Sequence, residues 1–191
     1  MVAEREKTKL PELEDRVGLV VAVCLSDKRE YPKFPQDKVI VGKFGFEGDA
    51  HAGEFRKSYS NPDKLKPNDR AISIVANESR QELSRIFGIE IQPGDFNENI
   101  LISGLGDLSD LRPGDRLYFS SGVILEITAQ NFPCQKLESY LAKKGVVKSL
   151  ITKNEDHFIN RRGLVTTVLR QGELESDGTV KVVRLELSMG D

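Results

Sequence analysis

The chain has 191 residues, with 28 Lys and Arg against 30 Asp and Glu, two Cys, two His and no Trp. That length allows a substantial core, and a net charge of −2 gives no global pull toward nucleic acid, so an anion site must be local. Two Cys exclude a disulfide-stapled scaffold, and two Cys with two His are too few for the common zinc clusters.

In chain order, residues 1–16 carry nine charged side chains and read as a flexible N-terminal arm. Residues 17–191 read as one domain. The apolar, β-branched run 17–25 predicts a buried strand; at nine residues it falls well short of the roughly twenty a membrane span needs. With no secretory-type leader, a cytoplasmic, reduced protein without a membrane partner is expected. Further strands are predicted over 38–43, 71–76, 99–103, 116–119, 123–128, 164–170 and 179–187. Turns are expected at Arg112-Pro113-Gly114-Asp115, Ser120-Ser121-Gly122 and Ser176-Asp177-Gly178, the last two as hairpin connections. Helices are fewer. Ser79 and Glu82 have capping-box spacing ahead of Leu83, Ile86 and Phe87, with Gly88 as the stop. Residues 135–144 place Leu137, Tyr140 and Leu141 on one face before Gly145, and a third helix is predicted over 147–154. Seven or eight short strands with two or three short helices predict a mainly β fold, a closed or nearly closed β-barrel.

Four segments carry candidate chemistry. Gly45 to Gly53 holds Gly48, Asp49, His51 and Gly53: either a ligand-wrapping loop, or a turn fixed by Asp49 with an exposed His. Asn97, Glu98 and Asn99 form a polar cluster before an apolar strand, suited to bonding a heterocycle or merely to fixing backbone. Cys134 follows Phe132-Pro133 and immediately precedes a predicted helix, whose positive end favours a thiolate. Cys24 lies within an apolar run and reads as inert core. Arg161 and Arg162 open a strand and match phosphate geometry, though paired arginines are usually solvated surface. Residues 143–162 hold six basic and two acidic groups, and residues 54–70 five and three, so positive charge gathers beside these motifs.

In this order, Gly48-Asp49-Ala50-His51-Ala52-Gly53, Asp69-Arg70, Pro93 to Ile100, Leu111 to Leu117, Leu125 to Thr128 leading to Pro133-Cys134, and Arg162-Gly163 resemble the MOSC domain. This is the C-terminal domain of molybdenum-cofactor sulfurases, which also occurs as small stand-alone proteins. The resemblance covers roughly residues 17–187. It implies a β-barrel and association with the molybdenum cofactor (molybdopterin), a phosphorylated pterin whose dithiolene binds the metal. It further implies that Cys134 is the catalytic residue and molybdenum ligand, in a small oxidoreductase reducing N-hydroxylated compounds. Gly48, Asp49, His51, Gly53, Arg70, Asn97, Glu98, Asn99, Arg161 and Arg162 would then bind the cofactor, with lysines near Arg162 helping to receive the phosphate. The partners implied are a small-molecule substrate and a redox partner. The family's other role would make the same Cys134 a persulfide carrier, fed by a sulfur donor such as a cysteine desulfurase and delivering to a partner protein. His157 is left as a bystander. Asn97 stands where the family commonly has glycine, which predicts an altered backbone there.

Overall fold

A computed structural model describes residues 16–58, 60–147, 150–153 and 158–184. The N-terminal arm to residue 15 and His157 lie outside the described residues. Along the chain come β1 (Val17–Leu25), β2 (Phe34–Gln36), β3 (Lys38–Gly42), β4 (Gly45–Phe46), β5 (Phe55–Lys57), β6 (Leu65–Pro67) and β7 (Ile72–Ala76). Then follow α1 (Asn77–Phe87), β8 (Ile100–Ser103), β9 (Arg116–Phe119), β10 (Ile124–Gln130), α2 (Gln135–Lys143), β11 (Ile151–Lys153), β12 (Phe158–Asn160), β13 (Leu164–Arg170), β14 (Gly172–Glu175) and β15 (Thr179–Val183).

Seven strands close a barrel in the order β1-β15-β9-β10-β13-β7-β8, with β8 pairing back onto β1. Every pairing in the ring is antiparallel except β7–β8, which is parallel because α1 carries the chain across between them. Closure leaves the ring no free edge. β2 extends β1 at its far end, and β14, β3 and β4 form a separate sheet.

Strand alternation divides two cores. Ile72 and Ile74 of β7, Ile100 and Ile102 of β8, and Leu164 of β13 point into the barrel with Leu117, Leu125, Ile127 and Val180. Val75 and Leu101 point outward, where Leu83 of α1 and Leu137 and Leu141 of α2 cover them. A bulge between Val20 and Ala22 offsets this alternation in β1, so Val20 and Val23 face the interior while Ala22 and Cys24 face the helices.

Some expectations are corrected. Helix α1 starts at Asn77 with Ala76 in the cap position, and Ser79 lies inside it with an unpartnered hydroxyl. The capping box does not form because Ser79 is inside the helix and not at its cap, and Glu82 pairs with Arg161. Gly88 ends the helix in the left-handed conformation, as predicted. The third helix is absent at Ile151–Lys153, which pairs as a strand with β12; its β-branched Ile151 and Thr152 suit that pairing. Ser120-Ser121-Gly122 joins the paired strands β9 and β10, but Ser176-Asp177-Gly178 joins no hairpin: β14 pairs with β3 and β15 with β1 and β9. Asn97 takes φ at 59°, in the left-handed region that Asn tolerates.

Candidate functional site

The cleft starts from one cross-strand pair. Ser73 on β7 faces Val165 on β13, and both point away from the barrel interior because their neighbours Ile72, Ile74 and Leu164 fill it. Seven loops and strand β5 rise around this pair and enclose a cleft of about 410 Å³. Among the described residues its lining includes six cationic ones, Arg29, Lys33, Arg56, Lys57, Arg70 and Arg162, and no Asp or Glu, with Lys33 paired to Asp49 and Arg56 to Asp69 from behind the lining. Such a surface attracts an anion.

Beneath it lies a saturated polar network. The Lys33 side chain is 1% exposed, and its ammonium sits 2.7 Å from Asp49 Oδ2. The same oxygen accepts from the Asn99 amide at 3.1 Å and the Ser26 N–H at 3.3 Å, while Oδ1 accepts the His51 N–H at 2.8 Å. Asn99 continues inward, donating to the Cys24 carbonyl and accepting from the N–H of Ser73. Burial acts to raise the Asp49 pKa, but contact with His51 and Lys33 outweighs it and holds the carboxyl far below its ordinary range. Burial pushes the Lys33 ammonium down, with Asp49 opposing. Gly94 makes this packing possible: its N–H donates to Glu98 Oε1 at 2.7 Å, φ is 91°, and a Cβ there would overlap the Lys33 carbonyl.

The wall is different. Arg162 is 8% exposed, and its Nη1 has no hydrogen-bond partner. Its backbone is fixed by Asn160, whose Oδ1 accepts the Arg162 N–H while its amide donates to the carbonyls of Asn131 and Gly163. Gly163, at φ 74°, lets this turn lie on β7, since a Cβ would overlap the Ile74 carbonyl oxygen. Arg70 donates to Asn131 Oδ1 at 2.7 Å, tying the opposite wall to the same loop.

Cys134 is exposed at the N-cap of α2. Its Sγ lies 3.3 Å from the Tyr31 hydroxyl. Partial burial acts to raise the thiol's pKa; the Tyr31 contact, the amides of Leu137 and Lys136 and the charge of Arg162 outweigh it and lower the value below that of an ordinary thiol. Those amides act as oriented dipoles, since no side-chain cap hydrogen bond forms. Cys24 is the contrast: fully buried, its thiol is pushed far up by burial.

Of the residues singled out in the sequence, His51, Arg70, Asn97, Asn99, Cys134 and Arg162 line this one cleft. Asp49 and Glu98 sit behind the lining, both buried. Glu98 Oε1 serves Gly94 and Oε2 is unpartnered, and burial pushes the carboxyl up. Gly48 and Gly53 shape the loop at positive φ without lining the cleft. Arg161 is a correction: its guanidinium forms two bonds to Glu82 of α1, at 2.8 and 2.9 Å, and a third to Thr152, away from the cleft. Lys144 is also drawn elsewhere, to Asp95 at 2.6 Å. Lys33, Tyr31 and Arg29 were not legible as site residues, because the run Asp27 to Lys33 reads as charged surface. Arg56 had a signal, the basic excess of residues 54–70; Asn131 had none.

The MOSC domain profile matches residues 48–181. The chain is 27% identical over 168 residues to YuaD of Bacillus subtilis strain 168, covering 83% of this chain and 86% of that protein, whose name associates it with metal-sulfur cluster biosynthesis. The crystal structure of Bacillus subtilis YuaD superposes with a TM-score of 0.77 at 23% identity, over 91% of this chain and 99% of that one. YiiM from Geobacillus stearothermophilus superposes with a TM-score of 0.63 at 19% identity, over 90% and 77%. With the ordered motifs, the closed barrel and a profile match over most of its length, the chain belongs to the MOSC domain family.

Proposed function

We propose that this chain binds the molybdenum cofactor in the cationic cleft and acts as a small oxidoreductase on N-hydroxylated compounds. The observation that carries the reading is an exposed thiol, Cys134, at a cleft whose lining among the described residues holds six cationic side chains and no carboxylate. MOSC domains are associated with this cofactor, and the residues present fit it. Among the described residues, two cleft-lining residues carry a buried side-chain atom with no partner, Asn97 Oδ1 and Arg162 Nη1, while His51 Nδ1 has only Asp49 Oδ1 at 3.4 Å. Buried polar groups are rarely left unpaired without a ligand or water to meet them. No three His, Cys, Asp or Glu side chains converge among the described residues, so the donor set suits a metal that brings its own sulfur ligands.

In this reading Arg162 and Arg70 receive the phosphate, a match their planar guanidinium groups favour. Asn97, whose Oδ1 has no partner, meets the pterin's ring edges while Asn99 is held in the floor beneath, and Cys134 supplies the protein's soft ligand. When bound, the group supplies two-electron redox chemistry at the metal. Reducing an N–OH to an N–H consumes two electrons and two protons and releases water; a redox partner must deliver the electrons, and His51 can hold or move a proton at the cleft. Metal and pterin analysis of protein purified from a cofactor-competent host tests the reading. Stoichiometric molybdenum that is lost in Cys134→Ala supports it, and protein free of both metal and pterin overturns it.

A second reading is favoured by the exposure of Cys134 and by the name of YuaD: sulfur carriage as a persulfide, without turnover. Incubation with a cysteine desulfurase and cysteine would then add about 32 Da, one sulfur atom, to Cys134. An unchanged mass overturns it.

A further inference from the structure

The proposed function assigns Arg162 and Arg70 to the cofactor and leaves two cations of the cleft without a task. Behind the lining, Asp49 meets the charge of Lys33 and Asp69 that of Arg56. Arg29 and Lys57 pair with no carboxylate among the described residues. Depth separates the two sets: Arg162 is buried and Arg70 half-buried, whereas Arg29 and Lys57 are exposed at the mouth. These two come from different segments, and both segments are fastened to one loop. Arg29 Nε donates to the Ala50 carbonyl at 3.1 Å, and the Ala50 N–H donates to the Ser26 carbonyl at 2.8 Å, which holds the loop after β1 against the loop after β4. Lys57 ends β5, whose hairpin with β6 is fixed at its root by Asn68; that amide donates to the carbonyls of His51 and Gly53 at 2.9 and 3.0 Å. The mouth cations are thus set around the loop that carries His51.

We infer that Arg29 and Lys57 form a second anion station at the mouth of the cleft, and that the substrate is an N-hydroxylated compound carrying an anionic group, a carboxylate or a phosphate. The N-hydroxylated part of this assignment rests on the proposed function, whereas the anion station rests on the cleft alone. A phosphate monoester brings about two negative charges at neutral pH, which Arg162 and Arg70 balance. Positive charge beyond that, in a cleft with no carboxylate in its described lining, draws a second anion. With its anion held at the mouth, such a substrate presents its N–OH end to the interior, and fixing it at both ends orients it for reaction.

The test uses the full-length, cofactor-free protein and calorimetric binding of three probes: N-hydroxybenzamidine, its para-carboxylate and its para-phosphonate. Each is measured in the parent chain and in Arg162→Ala, which silences the deep site. At least one anionic probe should bind about 10-fold tighter than the neutral one in both proteins, and the tighter of the two identifies the anion. Arg29→Ala and Lys57→Ala should each cut that preference about 3-fold, and the double variant should erase it. Both side chains are exposed, so these variants keep the fold. Equal binding of neutral and anionic probes overturns the inference, as does the absence of measurable binding by all three. A preference lost in Arg162→Ala but kept in the double variant also overturns it, because the anion would then sit at the deep site. Protein free of molybdenum and pterin would overturn the cofactor reading and leave this comparison standing, so the two failures are distinguishable.

Discussion

Lys33 and Arg162 are both buried cations of one cleft, yet they are held on opposite terms. Lys33 is closed off by Asp49, which is itself bound by Asn99, Ser26 and His51. Arg162 has its backbone fastened by Asn160 while its Nη1 has no hydrogen-bond partner and its charge is met only by electrostatic contact, chiefly from Tyr31 and Glu98. A buried charge with a partner is part of the fold, whereas one without a partner is costly there and becomes favourable only when an anion arrives. The floor of the cleft is therefore structural and the wall receptive. Arg161 sharpens the contrast: next to Arg162 in sequence, it spends its guanidinium on Glu82.

The largest break in this comparison should come from the floor. Asp49→Ala leaves the Lys33 charge unpaired, and denaturant unfolding should show a loss of about 3–5 kcal/mol. The Asp49 carboxyl has its folded-state pKa below the unfolded value, so its contribution is full above the unfolded value near pH 4 and is lost as pH falls further. A plot of Tm against pH should accordingly be flatter below about pH 4 in Asp49→Asn than in the parent chain. Next comes Gly163→Ala, where overlap with the Ile74 carbonyl and a left-handed φ together should cost about 2–4 kcal/mol. Arg161→Ala should lose about 1–2 kcal/mol in the same experiment and leave anion binding unchanged, since Glu82 can be rehydrated. Arg162→Ala should move stability by no more than about 0.5 kcal/mol or raise it slightly, yet weaken phosphate binding about 10-fold or more by calorimetry. If Arg162→Ala destabilises as much as Asp49→Ala, floor and wall are not distinct.

What the sequence made legible follows the same division. The long apolar runs 17–25 and 164–170 and the Gly88 stop were visible because burial and turn chemistry act on a few adjacent residues. Short strands such as Phe55–Lys57 were not, because they exist by pairing with a partner rather than by their own pattern. Cys134, His51, Asn99 and Arg162 were found through an ordered series of motifs that belongs to the family. The separation of Arg161 from Arg162 could not be read, since a single residue step decides which faces α1 and which the cleft. Lys33 is hidden for a related reason: a lysine in a charged run looks solvated until Asp49, in the loop after β4, is folded against it.

The pairing of β1 with β15 sets Val17 opposite Lys181, the earliest described strand against the latest. A ring joined in this way cannot be completed during synthesis until nearly all of its strands have been made. Until then the inward faces of β1 and β8 lack the strands that complete the ring, and a long-range contact of this kind forms slowly. The two halves of the cleft experience this wait differently. Asp49 and Lys33 can meet early, whereas Arg162 and Cys134 reach their places only once the later strands are present. Sites that hold the ligand would thus be finished after those that hold the fold, so a ligand-ready cleft reports a barrel that is almost complete.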